Sequence, residues 1–230
     1  MTTRPPEAVQ SSNHSREWTA HPMQISNERY FLERRRHDLA LRMLRHEART
    51  RTINDCTGLS ESQIRRLYQS YALRHTSAPL RRHRGKSPRQ VAYFTRNVRI
   101  QLAASVLVNL FNTFGLLERR PRPGAAGMEF AWRFCDAFET HRQLLAATHP
   151  QLLDSQDLSI EHAWFLLQHL HGGGELRISQ CHVCTGQYLY SLARPHGHPC
   201  PACKLKKKPA RPRPRQATLR MTGIRGKPAC

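Results

Sequence analysis

Apolar positions along this chain fall mostly at steps of three and four, the period of helices that bury one face. Leu32, Leu39, Met43 and Leu44 mark such a face on a helix over 27–51, whose other faces carry eight arginines. Thr57-Gly58-Leu59-Ser60 interrupts the pattern. Ser60 with Gln63 spells a capping box, and Leu59 with Ile64 a hydrophobic staple, so a second helix is predicted to start at Ser60. Along it Ile64, Leu67, Tyr68 and Tyr71 line up, while Arg65, Arg66 and Arg74 fall mostly on other faces. Residues 76–87 read as a loop, with Pro79, Gly85 and five basic residues. Ser87-Pro88-Arg89-Gln90 repeats the start signal and predicts a long helix to about Phe114, ended by Gly115. Helical spacing resumes from Met128 to Ala147 through Phe130, Phe134, Phe138 and Leu145, and again from Asp157 to His171. The pattern predicts a mainly α fold with a body of about five helices.

Past Gly172-Gly173-Gly174 the period changes to two. Leu176 and Ile178 alternate with Arg177 and Ser179, and residues 187–191 alternate similarly, which predicts two short strands. From Lys204 onward there are ten Lys or Arg, no acid, and prolines at 209, 212, 214 and 228, a composition that neither collapses nor builds a regular helix. The organisation expected is an N-terminal extension over 1–25, a helical body over 26–174 with a helix-turn-helix-like segment at about 48–74, a metal module over 175–205, and a disordered basic tail over 206–230. The longest apolar stretch, Val98 to Leu117, is broken by Arg99, Gln101, Asn109 and Asn112, so it reads as a core helix and not a membrane span. No apolar run of a secretory signal occurs in the first 25 residues, and a cytoplasmic chain is expected.

Charge changes the picture of partners. With 37 Lys+Arg against 16 Asp+Glu the net charge is +21, which points to polyanions. The seven cysteines change the picture of chemistry. Cys181-x2-Cys184, fifteen residues, then Cys200-x2-Cys203 is the spacing of a four-thiolate zinc site, and without a leader it favours metal over disulfides. Four thiolates close the coordination shell, so one structural Zn2+ is expected, with no open position for substrate. His182, His196 and His198 lie in the same segment and are alternative ligands in a site of three cysteines and one histidine. Thiol redox chemistry would need a thioredoxin-like frame, which the pattern lacks. Cys56, Cys135 and Cys230 have no partner at ligand spacing.

Ile53, Gly58, Leu59, Ile64 and Leu67 have the spacing of a helix-turn-helix, with Asn54 where a small residue is preferred. Its second helix offers Ser60, Gln63, Arg65 and Arg66 near its start, groups able to read base edges or clamp phosphates; as a plain hairpin it would carry them as solvated decoration. Arg74, Arg194, Lys204, Lys206, Lys207 and Lys208 complete the candidate phosphate contacts. Paired catalytic carboxylates, a G-x-S-x-G elbow, a phosphate-cradling glycine loop and H-E-x-x-H are all missing, and the triple glycine follows a helix instead of opening one. No enzyme is expected.

The arrangement resembles the flagellar transcriptional regulator FlhC family, over about residues 35–205. The resemblance is most specific at Ala163-Trp164, Leu167, Leu170, Gly174 and Leu176, then Cys181-x-x-Cys184-x-Gly186-x-Tyr188, Pro195-x-Gly197 and Cys200-x-x-Cys203, with a second match from Leu59-Ser60 into Ile64-Arg65-Arg66-Leu67-Tyr68. It implies zinc ligation by Cys181, Cys184, Cys200 and Cys203, a hetero-oligomer with FlhD, binding to double-stranded promoter DNA, and recruitment of RNA polymerase. The loop 81–90, the first 25 residues and the tail depart from the family's usual pattern, as a divergent paralogue would. The expected mechanism has zinc fixing 181–203 so that Arg194, Lys204 and the tail meet phosphates beside duplex held by Arg65 and Arg66. Its rivals are an RNA-binding zinc-ribbon protein and a zinc-stabilised interaction scaffold.

Overall fold

The computed structural model describes residues 24–74, 83, 85, 87–118, 125–148, 150, 158–193 and 199–206. Within them the chain forms seven helices and one small sheet: α1 Gln24–Arg45, α2 Thr50–Thr57, α3 Glu61–Arg74, α4 Val98–Thr113, α5 Ala125–Thr148, α6 Ile160–His171, β1 Leu176–Gln180, β2 Gln187–Ser191 and α7 Pro201–Lys206. A short 3-10 turn, Val91–Thr95, precedes α4. The chain divides into two compact units, one holding α1 to α3 with 123–131, the other holding α4, the rest of α5, α6, the sheet and α7. The fold is mainly helical with a four-cysteine module, as the pattern predicts.

In the first unit, α1, α2 and α3 pack on one another around Leu39, Met43, Leu44, Ile53, Leu59 and Ile64, all buried. The helix expected over 27–51 ends earlier, at Arg45. The Met43 carbonyl accepts the N–H groups of both His46 and Ala48, and Glu47 turns into the left-handed region at φ 60°. No glycine or proline marks this stop. What the turn achieves is burial: it swings Ala48 and Ile53 into the core already built by Met43 and Leu44.

The second unit is centred on Phe94, Phe111, Phe134, Phe138, Ile160 and Leu167, all fully or nearly fully buried. Phe111, Phe134 and Trp164 form a chain of ring contacts at 6.1 and 5.0 Å between α4, α5 and α6. The long helix expected from Ser87 is not continuous. Asn97 adopts extended angles and its side chain accepts the Ile100 N–H at 2.8 Å, so Asn97 caps a fresh start. Ser87 does not cap anything; its hydroxyl donates to Glu161 on α6 at 2.8 Å. Helix α6, expected from Asp157, likewise starts later, at Ile160, capped by Ser159, whose hydroxyl accepts the His162 N–H.

The triple glycine ends α6 by geometry. Gly173 takes the left-handed conformation at φ 67°, and Gly174 lies against the His169 ring, where a Cβ would collide. That ring accepts the Leu176 N–H at 3.4 Å and so guides the chain into β1. Strands β1 and β2, the two that the period-two pattern predicts, pair antiparallel, Leu176 opposite Ser191 and Ile178 opposite Leu189. The tail was expected to be irregular from Lys204, yet α7 runs through Lys206 because Pro201 supplies a helix-ready first position after Cys200. The remaining tail, the first 23 residues and most of the loop 75–86 lie outside the described residues.

Candidate functional site

Two knuckles meet at one point. The first closes the turn between β1 and β2: the Cys181 N–H donates to the Gly186 carbonyl at 3.0 Å, and the Thr185 N–H to the Cys181 carbonyl at 2.9 Å, with Thr185 left-handed at φ 57°. The second leads into α7, with Cys200 just before Pro201 and Cys203 in the helix's first turn. The four sulfurs of Cys181, Cys184, Cys200 and Cys203 lie within 4.8 Å of one another, Cys184 and Cys200 3.5 Å apart. A tetrahedral ion bound at about 2.3 Å would set its sulfurs about 3.8 Å apart. The donor set therefore fits a metal ion. Among the described residues no histidine joins it: His182 is exposed, and His196 and His198 fall outside them.

Backbone donors prepare the site for anionic sulfur. Cys181 Sγ accepts the N–H of Cys200 at 3.3 Å and of Val183 at 3.4 Å, and Cys200 Sγ accepts the Cys203 N–H at 3.4 Å. The Cys200 N–H is the main reason the Cys181 thiol is held down at about 6. Burial pushes Cys200 up, and the hydrogen bond with Cys184 pushes Cys203 up to about 12. One thiolate is thus favoured while its neighbours resist ionising beside it, the condition a coordinated cation relieves. Cys56 and Cys135 are buried elsewhere in their units.

The hairpin of α2 and α3 is built from its own side chains. Gly58 closes α2 at φ 71° with its N–H on the Asn54 carbonyl at 2.8 Å. The Asn54 amide, where the motif prefers a small residue, donates to the Leu59 carbonyl at 2.7 Å and ties the turn to the next helix. The Leu59 N–H donates to Thr57 Oγ1 at 3.2 Å. Ser60 and Gln63 form the predicted capping box, the Ser60 N–H donating to Gln63 Oε1 at 2.9 Å and the Gln63 N–H to Ser60 Oγ at 3.3 Å. Both side chains thereby hold the start of α3. Arg65 and Arg66 are exposed, Arg65 paired with Glu61 at 3.1 Å. Lys206 is exposed and Lys204 half-buried on α7; Arg74 ends α3, its side chain outside the described ones, as are Arg194, Lys207 and Lys208.

The sequence reading missed one set of residues. Gln101 and Asn109, taken as interruptions of an apolar run, join Ser105 in a polar stripe on α4 that bonds the outer edge of β2. Gln101 Nε2 donates to the Leu189 carbonyl at 2.9 Å, Ser105 Oγ accepts the Leu189 N–H at 3.0 Å, and Asn109 Nδ2 donates to the Gln187 carbonyl at 3.2 Å. Their spacing of four was the available signal, since it places all three on one face.

No helix among the described residues is long and apolar enough to cross a membrane. No curated protein matches the chain at a significant level. The family model described as flagellar transcriptional activator (FlhC) matches residues 26–218, a span that takes in the three-helix unit, the sheet and all four clustered cysteines. Matched over most of its length, this chain belongs to the FlhC family of flagellar transcriptional activators.

Proposed function

We propose that this chain is a DNA-binding subunit of a flagellar gene activator that works with FlhD at promoters, recruits RNA polymerase, and carries one structural zinc ion. The family match supports the regulatory part of this reading. The observation that carries the DNA-binding part is the capped hairpin: Arg65 and Arg66 stand exposed in the first turns of α3, on a chain of net charge +21. The ligand chemistry favours zinc, because four soft thiolates within 4.8 Å of one another suit it and leave no open position for catalysis. Residues 175–205 then act as a metal module, with Lys204, Lys206 and the tail's cations adding phosphate contacts. A cytoplasmic location belongs to the same reading.

The test is binding of the purified chain, with and without FlhD from the same genome, to a flagellar promoter duplex, a scrambled duplex and single-stranded RNA near physiological salt. Promoter preference that strengthens with FlhD is expected. Equal binding to all three would leave only a basic metal protein. Preference for single-stranded RNA would replace this function with RNA binding.

A further inference from the structure

The first cysteine knuckle sits on a two-stranded sheet, and a two-stranded sheet alone is marginally stable in water. Its outer edge on β2 is not left to solvent. Helix α4 reaches it with Gln101, Ser105 and Asn109, which engage the Leu189 carbonyl, the Leu189 N–H and the Gln187 carbonyl in order along the strand. The three stand at steps of four on a helix whose neighbouring positions, Leu102, Ala103, Ala104, Leu107 and Val108, are buried and mostly apolar. Ser105 is itself only 4% exposed and also donates to the Gln101 carbonyl at 2.6 Å, which fixes its lone pairs toward Leu189. A buried hydroxyl such as that of Ser105 is costly unless bonded, and it and the half-buried Gln101 and Asn109 are bonded to the strand that leaves the first cysteine knuckle. Gln187, held by Asn109, directly follows Gly186, whose carbonyl closes that knuckle on the Cys181 N–H.

We propose that Gln101, Ser105 and Asn109 are positioning residues for the metal centre: together they serve as a third strand that holds the knuckle of Cys181 and Cys184 in binding geometry before metal arrives. The second knuckle, on the short α7, then completes the site on a half already formed. None of the three touches a sulfur, so they act on metal affinity through preorganisation and not through the ligand set. This rests on reading the four-cysteine cluster as a metal site.

The experiment uses the full chain and cobalt(II) as a spectroscopic probe, with affinity for zinc measured by competition against a chromogenic chelator. Asn109→Ala and Ser105→Ala are expected to weaken zinc binding by about 10- to 100-fold. They should keep the cobalt spectrum of four thiolates, because no ligand is lost. Ser105→Thr, which retains the hydroxyl, should restore affinity, and Asn112→Ala, an exposed neighbour on the same helix, should leave it unchanged. In the metal-free chain the Leu189 amide should be protected from hydrogen exchange in wild type and lose that protection in Ser105→Ala. Unchanged zinc affinity in both alanine variants, or an altered cobalt spectrum, would overturn the proposal. A wild-type chain that binds neither ion would instead overturn the metal site itself.

Discussion

His141 shows what one buried side chain does to the whole. It is 2% exposed on α5, its Nε2 donates to the Ala103 carbonyl at 2.9 Å, and burial holds its pKa down at about 4. The unfolded chain takes up this proton near 6.5 and the folded chain only near 4, so stability present at neutral pH drains away as pH falls through that window. At pH 5 the loss amounts to about 2 kcal/mol. His141→Gln keeps a donor but does not titrate; its urea-unfolding stability should fall less than wild type's between pH 7 and pH 5, by about that amount. Parallel losses would show that His141 is not the group responsible. In the four-cysteine cluster, Cys200→Ser removes a sulfur that is 3.5 Å from Cys184 and accepts the Cys203 N–H. We expect it to lose metal and promoter binding together, read by metal content after gel filtration and by duplex anisotropy; full retention of both would contradict a structural metal. That Cys181, Cys184, Cys200 and Cys203 come together was legible from spacing alone, since a C-x-x-C turn brings two sulfurs together whatever surrounds it. The roles of Gln101, Ser105 and Asn109 were not, because their partners lie about eighty positions away in sequence and a polar residue in an apolar run looks like an interruption until the strand it bonds is placed.

Elements were read well where local chemistry decides them and poorly where packing does. The start of α3 was visible because Ser60 and Gln63 satisfy each other's backbone without help. The strands were visible because their apolar and polar positions alternate; their register, Leu176 opposite Ser191 and Ile178 opposite Leu189, was not, since it is set by the knuckle that joins them. The stop of α1 at Arg45 was not, since a left-handed glutamate carries no sequence signature and the turn is set by burial of Ala48 and Ile53. The Ser87 start signal failed for a related reason: its hydroxyl found Glu161, a partner outside its own helix. The hairpin turn gives the sharpest test at this scale. Gly58 has φ 71° and nothing within 4 Å of where a Cβ would stand, so Gly58→Ala meets no clash and only backbone strain. That costs about 1–2 kcal/mol. Gly58→Asn, which tolerates the left-handed region, should lose less. Thermal melts of the two variants should rank them in that order; equal melting points would mean the turn relaxes and the hairpin is not rigid.

At the scale of the whole molecule, charge dominates. Net charge is +21, and the segment after Lys206 holds eight Lys or Arg and no acid. Neutralised phosphates release counterions, so each contact steepens the dependence of affinity on salt by about 0.9 log unit per log unit. If about six tail cations meet phosphates, deleting residues 207–230 should flatten that slope by about five. Promoter and scrambled duplexes should weaken alike, because a proline-rich cationic segment meets backbone and reads no bases. Arg66→Ala differs in kind. It removes one exposed cation from the capped helix, so the slope should fall by about one, and any base contact it makes should narrow the gap between promoter and scrambled duplex as well. Measuring both duplexes across salt for both variants separates the two roles. A tail deletion that erased promoter preference while Arg66→Ala preserved it would move sequence recognition from the hairpin to the tail, and with it the part of the chain to which DNA reading belongs.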